Sequence, residues 1–445
     1  MIFYLSFSLL FFIFLPMNAF YTSNDLAFIQ AQKTKPTLTF FEKAHIKNAK
    51  KVPSYHDAFW WQLIPSTGLY FNTSPDALFL PHQFTLWQLA PHLAKGVPVA
   101  LFDTEVETKH PLLKCCNTFY TFGNVSTQAT HLPFYDHGTH IAGLIGARLA
   151  KTGTGISGIA PEATLFSFNV LHSSGKPASL TSLIQAVEKA IEHKCMVANI
   201  SFTFDEYDDP HNPQRKKLEK LLQYIPYVIC ASGNKGKQQK EIFQKRISYP
   251  ARIKNHVISV GSFGCTYNQT LQKYEYSVSP FSQYEPGVGP HFLAPGQSIL
   301  GCSCVPKSSS IKMPHQTDLY AFHSGTSCSA AILSGFFALV VGAFGSTFLR
   351  DQVLYVCQIS GCSLNNNTEW KEKSLYGVLD FRTALFILHV LKSLENKIIF
   401  KKISFMKFKH MTDEIRATLF LLPKCKKSFD VFEAITFIKM KLLEP

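Results

Sequence analysis

The chain has 445 residues, 46% hydrophobic and 17% charged, proportions that exclude a disordered polymer and suit one large globular domain with smaller flanking pieces. Lys and Arg number 44 against 30 Asp and Glu, a formal charge of +14. No long basic block interleaved with aromatics precedes the C-terminal region, so nucleic acid is not an expected partner.

Ile2 to Phe20 is apolar except for Ser6, Ser8, Pro16 and Asn18, and the first cationic side chain is Lys33. Residues 1–20 therefore read as a signal peptide or an N-terminal membrane anchor, which makes the chain an exported protein, secreted, periplasmic or in the cell envelope. Residues 21–75 carry no chemical motif and are expected to be a pro-segment or linker. Eleven cysteines in an exported chain suggest disulfides with one thiol left over. Cys302 with Cys304, and Cys357 with Cys362, are the local pairs.

Beyond residue 75 the pattern alternates. Val97 to Phe102 predicts a strand entering Asp103, and Gly138 to Ala150 a helix. Further strands are expected over Ala163 to Val170, Met196 to Ser201 and Tyr227 to Ala231, with helices over Leu180 to His193 and Lys216 to Gln223. Strands separated by helices need crossover connections, so the fold class is α/β, a mainly parallel sheet with helices on both faces. Asn199 fits a glycosylation sequon but falls in a strand expected to be buried. Cys328 to Phe344 is apolar enough to suggest a membrane span, yet it is short and contains Ser329, Ser334 and Gly335, which predicts a central buried helix. A last short helix is expected through Ala384. After Leu388 the chain is lysine-rich, and Lys401, Lys402, Lys407 and Lys409 alternate with Ile403, Phe405 and Phe408. That extension, residues 389–445, is expected to form a small packed accessory unit rather than a membrane-surface element.

Four polar residues stand where chemistry is expected. Asp103 ends an apolar strand at the carboxyl edge of the predicted sheet. His137 opens a helix in Asp136-His137-Gly138-Thr139-His140. Asn234 lies in the glycine-rich stretch Ser232-Gly233-Asn234-Lys235-Gly236 after a strand. Ser327, in Ser324-Gly325-Thr326-Ser327, stands at the mouth of the long buried helix, whose N-terminus favours a nearby oxyanion. Serine-based peptide hydrolysis needs such a set: a nucleophile, a base, an acid that orients the base, and oxyanion donors. A metal site on His137 and His140 lacks a third ligand at any obvious spacing.

The order Asp, His, Asn, Ser and the surrounding motifs resemble the subtilisin family over roughly residues 75 to 386. The shared features include His137-Gly138-Thr139-His140, Gly158-Ile159-Ala160-Pro161, Asn199-Ile200-Ser201, Ala294-Pro295-Gly296 and Gly325-Thr326-Ser327. The resemblance implies a catalytic domain over residues 76–388 in which Asp103 orients His137 and His137 deprotonates Ser327. It further implies that Asn234 completes the oxyanion hole and that Ser201, Phe202 and Thr203 line the substrate cleft. The implied activity is serine endopeptidase cleavage of proteins or peptides through an acyl-enzyme, with no metal and no organic cofactor. Sedolisins share Ser-Gly-Thr-Ser but use a Glu base, so His137 and Asn234 favour the subtilisin branch. Glu105 replaces a usual glycine, Phe202-Thr203 a smaller Leu-Gly pair, Cys328 a Met, and Ala331-Ile332 a Pro-His. Loop 149–156 lacks the Asn-rich calcium pattern. The alternative reading is a binding protein of the same fold that has lost catalysis; all four polar residues being present favours the enzyme.

Overall fold

A computed structural model describes residues 86–122, 136–148, 156–172, 177, 179–204, 211–236, 246–268, 273–304, 319–362, 369–394, 400–419 and 431–443. The predicted leader over residues 1–20 and the pro-segment or linker over 21–75 lie outside the described residues.

A short helix α1 (Leu86–Leu89) precedes strand β1 (Pro98–Asp103), then β2 (Cys116–Thr121), helix α2 (His137–Gly146) and β3 (Thr164–Asn169). There follow α3 (Leu180–Glu192), β4 (Val197–Ile200), α4 (Pro213–Leu222), β5 (Tyr227–Ala231) and the long β6 (Val257–Asn268). Strand β7 (Lys273–Val278) turns back antiparallel on β6, and β8 (Phe292–Pro295), β9 (Ile299–Cys302) and β10 (Tyr320–His323) lead into α5 (Thr326–Phe344). The remainder is α6 (Arg350–Ile359), β11 (Gly361–Cys362), α7 (Glu369–Lys373), β12 (Val378–Leu379), α8 (Phe381–Ser393), α9 (Phe405–Thr418) and α10 (Val431–Leu443).

The main sheet has the order β11-β12-β8-β6-β5-β4-β1-β3-β2, with β7 attached to β6. Every pair from β2 to β12 along that order is parallel, and β11 with β12 and β7 with β6 are antiparallel. Alternate side chains of each strand feed two cores, as period-two geometry requires. Val99 and Leu101 of β1 join α2 and α5 on one face, whereas Ala100 and Phe102 join α3 and α4 on the other. Helices therefore cover both faces, and the α/β expectation holds.

Several elements differ from expectation in extent. Helix α2 ends at Gly146, because Ala147 turns extended and the Arg148 N–H is taken by the Leu112 carbonyl at 2.8 Å. Helix α4 starts at Pro213, three residues before the predicted Lys216, because Asn212 caps the Gln214 and Arg215 N–H groups and proline suits the first helical position. Helix α8 runs past Ala384 to Ser393, with Asp380 capping Arg382 and Thr383, and crosses position 388 without a break.

Helix α5 is the central buried helix expected from the sequence. It is long and apolar enough to cross a membrane by length and composition, but it is buried along nearly all its length against β4, β5, β6 and β8. Asn199 is fully buried in β4.

The expected Cys302–Cys304 and Cys357–Cys362 pairs are not formed: Cys302, Cys304 and Cys357 are free thiols, as are Cys115, Cys116, Cys195, Cys230 and Cys328. Cys302 Sγ is packed against Gly143 of α2, while Cys304 Sγ lies 3.8 Å from Thr139 Oγ1, so neighbours in sequence have separate surroundings. Burial pushes the Cys195 thiol up to about 12 and Cys304 up to about 11, which keeps both protonated and unreactive at neutral pH.

Candidate active site

Asp103 closes β1, and the parallel register places it beside Asn169 of β3 at the carboxyl edge of the sheet. The carboxylate is fully buried. Its Oδ1 accepts the Thr104 backbone N–H at 2.7 Å and lies 2.6 Å from His137 Nδ1. His137 is the first residue of α2, directly after Asp136, and is 7% exposed. The Gly138 N–H donates to Thr104 Oγ1 at 2.8 Å, and a Cβ on Gly138 would collide with the Thr104 carbonyl oxygen. Glycine at that position lets α2 approach the end of β1 closely enough for the Asp103–His137 contact.

Ser327 is the second residue of α5 and is 7% exposed. At the start of α5 the Thr326 N–H goes to Asn234 Oδ1 at 2.9 Å and the Cys328 N–H to the Gly325 carbonyl at 3.1 Å, with the Ser327 N–H between them at the positive end of the helix. The Ser327 carbonyl accepts the Ser201 hydroxyl at 3.1 Å; Ser201 Oγ accepts from Asn199 Nδ2 at 2.7 Å, and Asn199 Oδ1 accepts from Ser334 Oγ at 3.0 Å. This buried relay ties the first turn of α5 to the end of β4.

Asn234 follows β5 in an exposed turn. Its Oδ1 accepts the Thr326 backbone N–H at 2.9 Å and the Thr326 hydroxyl at 3.0 Å. With the oxygen held there, the network assigns the amide nitrogen to the opposite side. A Cβ built on Gly325 would stand 2.9 Å from Ser327 Oγ and 3.2 Å from Asn234 Nδ2. The hydroxyl and the amide thus border one small space that any larger residue at position 325 would fill.

The turn is also held from behind. Gln283 is 5% exposed, and its Oε1 accepts the Lys235 N–H at 3.2 Å and the Ser248 hydroxyl at 3.3 Å. Its Nε2 donates to the Arg246 carbonyl at 2.6 Å, and its own backbone N–H donates to the Gly233 carbonyl at 3.0 Å.

Of the four sequence-predicted residues, Asp103 and His137 pair where β1 meets α2, and Asn234 and Ser327 border one space where the β5 turn meets α5, both beyond the carboxyl ends of parallel neighbours β1, β4 and β5. Of the segment expected to line the cleft, the Ser201 hydroxyl faces the Ser327 carbonyl and the Phe202 ring packs edge-on to Phe204 in the second core. Thr203 is half-buried. His140 faces away from His137: its Nε2 lies 3.1 Å from the Ile299 carbonyl oxygen, and its ring stacks on His323 at 4.3 Å. Burial, then the neighbouring His323 and His137, hold the His140 imidazole far below its usual range, so it is neutral. Cys328, next to the nucleophile position, is buried, and burial pushes its thiol up to about 12.

A profile described as the Subtilase family matches residues 94–368, more than half of the chain. The chain belongs to the subtilase family. This subtilase is 30% identical over 260 residues to the "Intracellular serine protease" of Paenibacillus polymyxa, a match spanning 58% of this chain and 70% of that protein. It is 31% identical over 245 residues to Subtilisin Savinase of Lederbergia lenta, spanning 55% of this chain and 76% of the relative. In fold it is similar to the prenylagaramide maturation protease PagA, with a TM-score of 0.51 and 22% identity over 67% of this chain and 97% of that one. The subtilase is a serine-type endopeptidase, and its substrates are proteins or peptides.

Thr326, Gln283 and Asp136 are absent from the sequence-predicted set. Thr326 sits within the Gly-Thr-Ser motif, so its neighbours were a usable signal. Gln283 touches residues distant in sequence, and nothing local marks it. Asp136 is fully buried, accepts the Ser303 hydroxyl at 2.7 Å and lies 3.5 Å from His323 Nε2.

Proposed function

We propose that this subtilase cleaves peptide bonds with Ser327 as nucleophile, His137 as general base and Asp103 as the group that orients the imidazole and stabilises the imidazolium it becomes. Asn234 Nδ2 and the Ser327 backbone N–H are the oxyanion donors. As Ser327 Oγ attacks the scissile carbonyl, His137 takes the hydroxyl proton, and the oxygen that gains charge enters the space beside Gly325. Collapse of the tetrahedral species expels the amine, protonated by His137, and leaves an acyl ester on Ser327. Water activated by the same imidazole then hydrolyses the ester. Because the Ser201 hydroxyl and the Phe202 ring are engaged inside the protein, substrate contacts from 201–203 fall to the backbone and to Thr203.

The observation that carries this reading is the 2.6 Å Asp103–His137 contact at the same sheet edge as Ser327 Oγ and Asn234 Nδ2, which share one space. A fluorophosphonate probe tests it. Labelling of the wild type and none of Ser327→Ala supports the assignment; labelling that survives in Ser327→Ala sinks it.

For localisation, the apolar run in residues 1–20 supports export, with residues 21–75 as a pro-segment. A second reading has its own observation. The free thiols of Cys302, Cys304 and Cys357, where disulfides were expected, suit a reducing compartment and favour a retained N-terminal anchor with the catalytic domain on the reducing side. Intact mass of the purified protein, with thiol alkylation before and after cell permeabilisation, separates the two.

A further inference from the structure

The C-terminal helices pack on the catalytic domain through aromatic side chains. Phe400 and Phe408 are buried, with Phe348 at ring distances of 5.1 and 6.3 Å, and Gln352 Nε2 donates to the Phe400 carbonyl at 2.9 Å. The first turn of α9, at the border of that packed face, is built differently. Phe405 is 44% exposed and Met406 is 74% exposed, adjacent in the first turn of α9. Lys401, Lys402 and Lys407 are exposed around them, and Lys409 lies over the Tyr355 and Phe405 rings at 4.7 and 5.3 Å. From Phe400 to Thr412 the sequence holds four lysines and no carboxylate.

Neither feature serves the stability of the helix. The amino end of a helix carries partial positive charge, so lysines there are disfavoured, and the first turn of α9 has no acidic residue to offset them. Met406 leaves most of its apolar surface in water, and Phe405, although edge-on to Tyr355 at 5.9 Å, leaves much of its own there, at a cost in hydration. An external surface that is anionic and apolar just beneath its charge offsets both. A folded polyanion would use the lysines but not Phe405 and Met406. An apolar protein groove would use Phe405 and Met406 but not the lysines.

We propose that the Phe400–Lys409 face is a peripheral membrane contact, in which Phe405 and Met406 enter the headgroup boundary of an anionic bilayer and the four lysines engage its phosphates and carboxylates. Apolar insertion and basic charge together form the two-signal arrangement that stable membrane attachment takes. Docking on α6 would hold the catalytic domain at a fixed orientation to the lipid surface.

The test is flotation of the full chain with phosphatidylcholine vesicles and with vesicles that also contain phosphatidylserine. Neutral vesicles report whatever the apolar N-terminal residues contribute, and the increment on anionic vesicles reports the face. The wild type should show at least a tenfold anionic increment that collapses at high salt. The triple variant Lys401→Glu, Lys402→Glu, Lys407→Glu should lose it, and the pair Phe405→Ser, Met406→Ser should reduce it at least severalfold. Both variants should keep probe labelling and thermal stability, since the altered side chains are exposed. Equal binding to the two vesicle types, or an increment that survives the triple variant, overturns the proposal. An increment lost in the triple variant but untouched by the apolar pair also overturns it, in favour of a purely electrostatic polyanion partner.

Discussion

Thr326 donates both its backbone N–H and its hydroxyl to the side-chain oxygen of Asn234, at 2.9 and 3.0 Å. The residue before Ser327 thereby decides which end of the Asn234 amide faces the space beside Gly325, where the proposed reaction places the oxyanion. Asn234→Ala should lower kcat a hundredfold to a thousandfold with little change in KM, on the order of 3 kcal/mol, the size known for loss of one oxyanion donor in a subtilisin and carried over here. Thr326→Val keeps the backbone donor and loses the hydroxyl, so its kcat should fall by about tenfold, roughly 1.4 kcal/mol. Steady-state kinetics on a peptide ester decides; near-normal kcat in Asn234→Ala would remove the oxyanion assignment.

Ser327→Ala and His137→Ala should each abolish most turnover, and the double variant should be scarcely slower than either. Groups that act as one unit lose their joint effect with the first deletion, a pattern known from subtilisins. Asp103→Asn should fold normally and lose somewhat less, because the imidazole is then held in the wrong tautomer. Multiplicative losses in the double variant would mean that Ser327 and His137 do not share a step.

Gln283 makes its contacts to the asparagine turn from a buried position, so Gln283→Ala should remove the bonds it makes to the Lys235 N–H, the Ser248 hydroxyl and the Arg246 carbonyl. A stability loss of about 1–3 kcal/mol is expected. The kinetic signature is sharper: kcat should fall about tenfold to a hundredfold through misplacement of Asn234. That fall should vanish when Gln283→Ala is made in the Asn234→Ala protein. A loss of equal size in both backgrounds would make Gln283 a merely structural residue.

Acid should destabilise the fold before carboxylates are protonated. Burial lowers His389 to about 4, and burial followed by Arg350 lowers His291 to about 4. Both imidazoles are neutral in the folded chain, whereas the unfolded chain protonates them below its ordinary value near 6.5. The unfolded state therefore binds more protons between about pH 6.5 and 4, and stability falls as pH drops through that window. The two together contribute at most several kcal/mol, at about 1.4 kcal/mol per pH unit each. Denaturant midpoints measured across the window should fall steadily for the wild type and less steeply for His389→Gln; parallel curves would refute the role of His389.

The site was legible in the sequence to the extent that its chemistry is local. Asp103 ends a strand, His137 opens a helix and Ser327 follows Gly-Thr, and each can be seen within a few residues. Gln283 could not be read, because its partners at 233, 235, 246 and 248 become neighbours only when the β5 turn folds against the segment before β8. The inward turn of Ser201 was hidden for a similar reason: its partner is the carbonyl of Ser327 on another element. The early start of α4 was readable, since Asn212-Pro213 is a cap followed by a first-turn proline. The disulfide expectation failed because it rested on composition and an assumed compartment, while side-chain direction separates Cys302 from Cys304.

Helix α5 carries Ser327, the proposed nucleophile, in its first turn and is buried along nearly all its length, with Phe336 stacked on Phe381 of α8 at 4.4 Å. The last wall around that helix is therefore supplied by residues more than fifty positions after Ser327. During synthesis, a chain that has emerged only as far as the serine has its acid and base already made but no enclosed helix to aim the hydroxyl. A chain cut short between Ser327 and Phe381 would hold Asp103, His137 and Ser327 and still lack the wall that encloses α5.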